Sequence, residues 1–190
     1  MRGNTLVATA EEMVGPYYPP AFLDADRHDL SRWEGLSVVP EGQVVVLTGT
    51  IRDVAGRPVA PILVEYWQAD ANGRYHPRET TAPWFDGLGR QYCDDGVYRL
   101  TTVRPGRVAG RAAHVTITLF CDGLSRLVTQ IFFDGDDGLA SDPLLLSMPP
   151  ELRDRLIAAR HDGGDHPVFH RDIILSGADE TPFFDDLDTQ

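Results

Sequence analysis

The sequence predicts an all-β sandwich with one short helix near the C-terminus and an extended N-terminal arm. Three features carry this. Between Gln43 and Phe133 lie short runs rich in β-branched and aromatic residues, turn sequences separate them at sandwich-like spacing, and the first 40 residues have few periodic apolar positions. The arm, with "VGPYYPP" at 14–20, is proline-rich and extended, and needs another surface to lie on. Strands follow at "QVVVLTGTIRD" (43–53), "ILVEYWQ" (62–68), "GVYRLTTV" (96–103), "AHVTITLF" (113–120) and "LVTQIFFD" (127–134). They are punctuated by "AGRP", "DANG", "CDDG", "RPG" and "CDG". A helix is predicted over "PPELRDRLIAARH" (149–161): prolines open it, Glu151 sits in its first turn, Leu152, Leu156 and Ile157 share a face, and a glycine pair follows. The chain then returns in a late strand, "VFHRDIIL" (168–175).

With 190 residues, 42% of them hydrophobic, the chain suits one domain with a sizeable core. A net charge of −12 works against nucleic acid and anionic membrane partners. All 17 basic residues are arginine, so Schiff-base and P-loop lysine chemistry is excluded while guanidinium contacts to carboxylates remain. No apolar run approaches the roughly 18–20 residues of a bilayer span, and the first residues lack a signal-peptide pattern, so a soluble, cytoplasmic protein is expected. Cys93 and Cys121 have no CxxC spacing and read as plain buried thiols.

The strand "AHVTITLF" alternates, placing His114, Thr116 and Thr118 on one face. A His-x-His strand would aim two imidazoles at one metal ion, but here the second position is Thr116. A lone His at the start of a half-buried strand reads as a hydrogen-bonded structural residue. Tyr75 reads as packing with a phenol hydrogen bond. The trio His161, His166 and His170 has no common metal-site spacing and reads as a solvated loop.

Taken together, "VGPYYPP", "VEYWQADANGRY" (64–75), "DDGVYRLTTVRPG" (94–106), "AHVTITLF" and "DIILSGADETPFF" (172–184) resemble the intradiol ring-cleavage dioxygenases. The match is to the alpha-type chain of the two-chain members that act on protocatechuate. The resemblance implies a non-haem Fe(III) enzyme that inserts both atoms of O2 into an aromatic ortho-diol, its iron held by two tyrosines and two histidines. Phenolate and imidazole donors suit ferric iron. By position, the first histidine is His114 and the second falls on Thr116. The loop "HPRETTAPWFDGLGR" (76–90) has no tyrosine where one ligand belongs, nor has "RVAGRAA" (107–113) where the other does.

The resemblance therefore implies a division of labour. Fe(III) is expected in a catalytic beta chain, with no metal and no complete catalytic site in this chain. Residues 1–40 form an arm contacting that partner, and residues 41–190 form the β-sandwich domain. Gly15 and Tyr17 match the segment that lines the substrate pocket; Gly permits close backbone approach and Tyr gives an aromatic wall with a polar tip. Met13 stands where a threonine is usual, and Asp122 stands where an arginine is. An aspartate facing the pocket would repel an anionic catechol, so Arg126, four residues on, is a candidate substrate-binding replacement beside its alternative as a solvent-facing residue. Two other readings stay open: a non-enzymatic β-sandwich binding or assembly module, and a self-sufficient dioxygenase with rewired ligands.

Overall fold

The apolar positions that alternate through the strands end up inside. In β1 (Val44–Arg52), Val45, Leu47 and Ile51 are fully buried, and in β4 (Val97–Val103) Tyr98 and Leu100 are. The computed structural model describes residues 26–32, 40–75, 85–121 and 125–184. The remaining strands are β2 (Ile62–Trp67), β3 (Leu88–Cys93), β5 (His114–Cys121), β6 (Ser125–Phe133), β7 (Ile157–His161), β8 (Val168–His170) and β9 (Ile173–Ile174). Their order is β3-β2-β5-β6-β7-β8-β1-β4, with β9 beside β1. One layer is β3-β2-β5-β6 and the other β8-β1-β4. The link is β7, which pairs in parallel with the end of β6 through Phe132–Ile157 and Phe133–Ala158, and antiparallel with β8. Between the layers sit Val64, Tyr66, Ile117, Leu119 and Ile131 from one side and Val45, Leu47 and Leu100 from the other. Each such side chain contributes about 1.5–3 kcal/mol on burial.

On the side away from β7, a piece of the N-terminal segment closes the seam between the edge strands. Arg27 exchanges both backbone hydrogen bonds with Arg90 of β3, at 2.7 and 2.8 Å. One step on, Leu30 N–H donates to Thr101 O of β4 at 2.7 Å, and Thr101 N–H donates to His28 O at 2.8 Å. Leu30 inserts into the core at 3% exposure, and Arg27 pairs with Asp86 at 2.6 Å. Two edges that would otherwise present unpaired amides are thereby covered. This part of the predicted arm lies in the chain's own fold; Gly15 and Tyr17 lie outside the described residues.

Four details differ from the sequence reading. The predicted 13-residue helix is a four-residue turn, Pro150–Arg153, followed by a 3₁₀ turn at Asp154–Leu156 and then β7. Helix propensity at Ile157, Ala158 and Ala159 yields to pairing with β6 and β8, which joins the two layers. A second helical turn, Pro143–Leu146, precedes it, capped by Asp142. Strand β3 was not anticipated, because "LGRQYC" mixes glycine and charge with its apolar positions; its partners in β2 supply the pairing. The late strand breaks at Arg171 and Asp172, whose carboxylate accepts from Thr50 N–H and Arg52 Nε, both at 2.8 Å. Cys93 is buried and Cys121 half-buried, with no disulfide between them; burial pushes the Cys93 thiol up to about 12. Among the described residues, no helix is long and apolar enough to cross a membrane.

Candidate functional site

Two loops at one end of the sandwich are bolted together by glycines. The "DANGR" loop is an Asx turn: Asp70 Oδ1 accepts from Asn72 N–H at 2.8 Å and Arg74 N–H at 2.9 Å, and Oδ2 accepts from the Arg74 guanidinium. Gly73, at φ +74°, packs its Cα against Arg107 O so closely that a Cβ would lie 2.0 Å from that oxygen. Gly106 N–H donates to Asp70 O at 2.9 Å. The "WQADANG" and "PG" segments that carry the resemblance thus hold each other beside the start of β5.

The outward face of β5 meets Trp67 on one neighbour and Gln130 and Phe132 on the other. Register pairs Thr116 with both Trp67 and Gln130, and His114 with Phe132. A continuous polar network runs across this face. Gln130 Nε2 donates to Thr116 Oγ1 at 3.2 Å, and Gln130 Oε1 accepts from Arg111 at 2.6 Å. Arg111 Nε donates to Asp142 Oδ2 at 2.9 Å, and that oxygen also accepts from Ala112 N–H at 2.8 Å. The other Asp142 oxygen caps the Pro143–Leu146 turn, accepting from Leu144 and Leu145 N–H. The Asp142 side chain is fully buried, so four donors compensate its desolvation. The Arg111 guanidinium also sits 6.0 Å from the Phe132 ring centroid, a cation–π contact.

His114 is buried, with Nδ1 2.7 Å from Ala112 O. A carbonyl only accepts, so Nδ1 carries the proton and Nε2 the lone pair. Burial holds the imidazole below its usual value of 6.5, and Arg111 adds to this; the Ala112 hydrogen bond and Asp142 oppose. The unfolded chain takes up this proton first as pH falls below about 6.5, so the stability from a neutral His114 is present above that pH and lost as pH falls through the lower folded value. His114→Gln is expected to reduce the positive slope of stability against pH below 6.5, measured by urea unfolding at stepped pH.

Tyr75 stacks on Trp67 with ring centroids 5.5 Å apart and planes 16° from parallel. Burial raises its phenol above the ordinary value, with Arg111 opposing, so the neutral phenol is favoured at neutral pH. Arg126 is exposed on the same face of β6 but opposite Phe120, four residues from Gln130 and about 13 Å along the strand. Asp122 lies outside the described residues, as does most of the 76–90 loop. His161 and His170 lie near each other on β7 and β8, and His166 lies in their connecting loop.

Among the described residues, the donors at this face fall short of the two tyrosines and two histidines that the resemblance implies for a ferric ion. His114 offers one neutral imidazole, Tyr75, stacked on Trp67 beside Thr116, offers one phenol, Thr116 and Gln130 are neutral and bonded to one another, and the Asp142 carboxylate is committed to Arg111 and backbone amides. A hard trivalent ion requires anionic donors. Arg111, Gln130 and Asp142 were missed in the sequence. Asp142 had a signal, an N-cap residue before Pro143, whereas the convergence of Arg111 and Gln130 depends on strand register.

Residues 13–176 match the sequence profile of the family described as Dioxygenase (Dioxygenase_C). The chain is 37% identical to the protocatechuate 3,4-dioxygenase beta chain of Burkholderia cepacia, covering 90% of this chain and 80% of that one. It is 32% identical to the alpha chain from the same organism, covering 96% and 99%. The solved dioxygenase domain of a dioxygenase carbohydrate-binding protein fusion from Streptomyces sp. SirexAA-E superposes with a TM-score of 0.64 at 27% identity, covering 90% of this chain and 99% of that domain. With a family match over most of its length and the paired glycine loops flanking the His114 strand, this chain belongs to the intradiol ring-cleavage dioxygenase family.

Proposed function

We propose that this chain is the alpha-type subunit of a two-chain intradiol dioxygenase that cleaves protocatechuate, or a related catechol, with O2 to a cis,cis-muconate product. Fe(III) is held by a catalytic beta chain, and residues 1–40 of this chain help wall that chain's pocket through Gly15 and Tyr17, with Arg126 offering a guanidinium in place of the one missing at Asp122. The observation that carries the reading is the donor set on β5. Thr116 occupies the position of the second imidazole and is bonded to Gln130. Similarity to both chain types leaves this argument unchanged, because it rests on the residues present at His114 and Thr116 rather than on percent identity.

Co-expression with a beta chain from the same source tests the reading. Ring cleavage of protocatechuate is expected only from the co-purified pair, over an interface of roughly 2,000 Å² or more. A stable monomer that never associates with such a chain would favour the non-enzymatic module. Within the pair, Tyr17→Ala is expected to lower kcat/KM by about 5- to 150-fold, a loss of about 1–3 kcal/mol, while the iron colour stays. Unchanged kinetics with every catechol tried would make the arm purely structural.

A further inference from the structure

His161 and His170 lie on β7 and β8, apart from the network around His114. The register sets Ala159 opposite His170 and His161 opposite Val168, which places the two histidines diagonally on one exposed face. Their rings meet edge to face, with centroids 6.4 Å apart and planes at 76°. His170 Nε2 lies 3.4 Å from Asp172 Oδ1. That carboxylate is itself fixed by Thr50 N–H and Arg52 Nε. A carboxylate on one ring nitrogen is the arrangement that orients a ligating imidazole and leaves its other nitrogen, here Nδ1, as the donor.

We propose that His161 and His170 form a two-imidazole surface site for a borderline divalent transition-metal ion such as Zn2+, with Asp172 orienting His170. A metal about 2.1 Å from one nitrogen of each ring needs centroids roughly 5–6.5 Å apart, which the present separation meets at its upper limit and side-chain rotation shortens. Among the described residues no three His, Cys, Asp or Glu side chains converge, so the pair is completed by water and binds on the order of 10 µM, far more weakly than a structural zinc site. The charged groups adjacent to the pair along the chain are Asp172, held by Arg52 of β1, the Arg160–Asp162 ion pair, and Asp165 in the connecting loop. A chain carrying a net charge of −12 also attracts cations.

Calorimetric titration of Zn2+ into the metal-stripped full chain, as it purifies alone or with a partner chain, tests this. One equivalent is expected to bind, His161→Ala and His170→Ala each weakening it tenfold or more, and Asp172→Asn about tenfold. His166→Ala should stay within twofold of the parent. The histidines are exposed, so melting of the stripped variants should match the parent while the Zn2+-induced rise in Tm disappears. No binding tighter than millimolar, binding that survives the His161→Ala/His170→Ala double variant, or loss of binding in His166→Ala would overturn the assignment.

Discussion

Asp142→Ala is expected to destabilise the chain by about 3–5 kcal/mol, lowering Tm by roughly 6–20 °C. The alanine would remove the buried carboxylate that pairs with Arg111, accepts from Ala112 N–H and caps the Pro143–Leu146 turn. Four donors lose their acceptor in one step, and the Arg111 guanidinium, half-buried beside Phe132, keeps its charge without a counterion. Because these losses share one network, adding Arg111→Met should cost less than the sum of the single variants. A Tm within measurement error of the parent would show that the network contributes nothing.

Gly73→Ala is expected to cost about 3–5 kcal/mol by urea unfolding. Part is the left-handed backbone, about 1–2 kcal/mol for a residue with a Cβ. The rest is steric: the new methyl would lie 2.0 Å from Arg107 O, and backbone gives way only if the two loops separate. Gly56→Ala is the internal control. It has φ +76° with nothing within 4 Å, so it should cost only the conformational part. Equal losses at the two glycines would remove the loop-to-loop contact from the account.

The contrast between these glycines shows what was legible before the structure. Both occupy turn sequences, and their places in the chain were evident from "AGRP" and "DANG". Which of them touches a second loop depends on tertiary approach, and no local pattern encodes that. The strands around Val45, Leu100 and Ile117 were readable because alternation and burial share a period of two. The segment 157–161 was misread because Ala158 and Ala159 favour helix locally, while the pairing partners that make them a strand lie in β6 and β8. Strand chemistry also made His114 and Thr116 readable as neighbours on one face. Arg111 and Gln130, 19 positions apart, meet only once β5 and β6 are in register. The seam formed by residues 27–30 is of the same kind, since its partners are single residues on two different edge strands.

The proposed division of labour leaves β5 of this chain without a ferric site and puts the iron in a partner chain. Iron analysis and a visible spectrum of the full chain, expressed alone in iron-replete medium, test it most directly. Tyrosinate bound to Fe(III) absorbs strongly in the visible, so a chain holding the ion through phenolates would be coloured. The account predicts a colourless protein with no more than trace iron. About one ferric ion per chain, accompanied by a visible charge-transfer band, would contradict it.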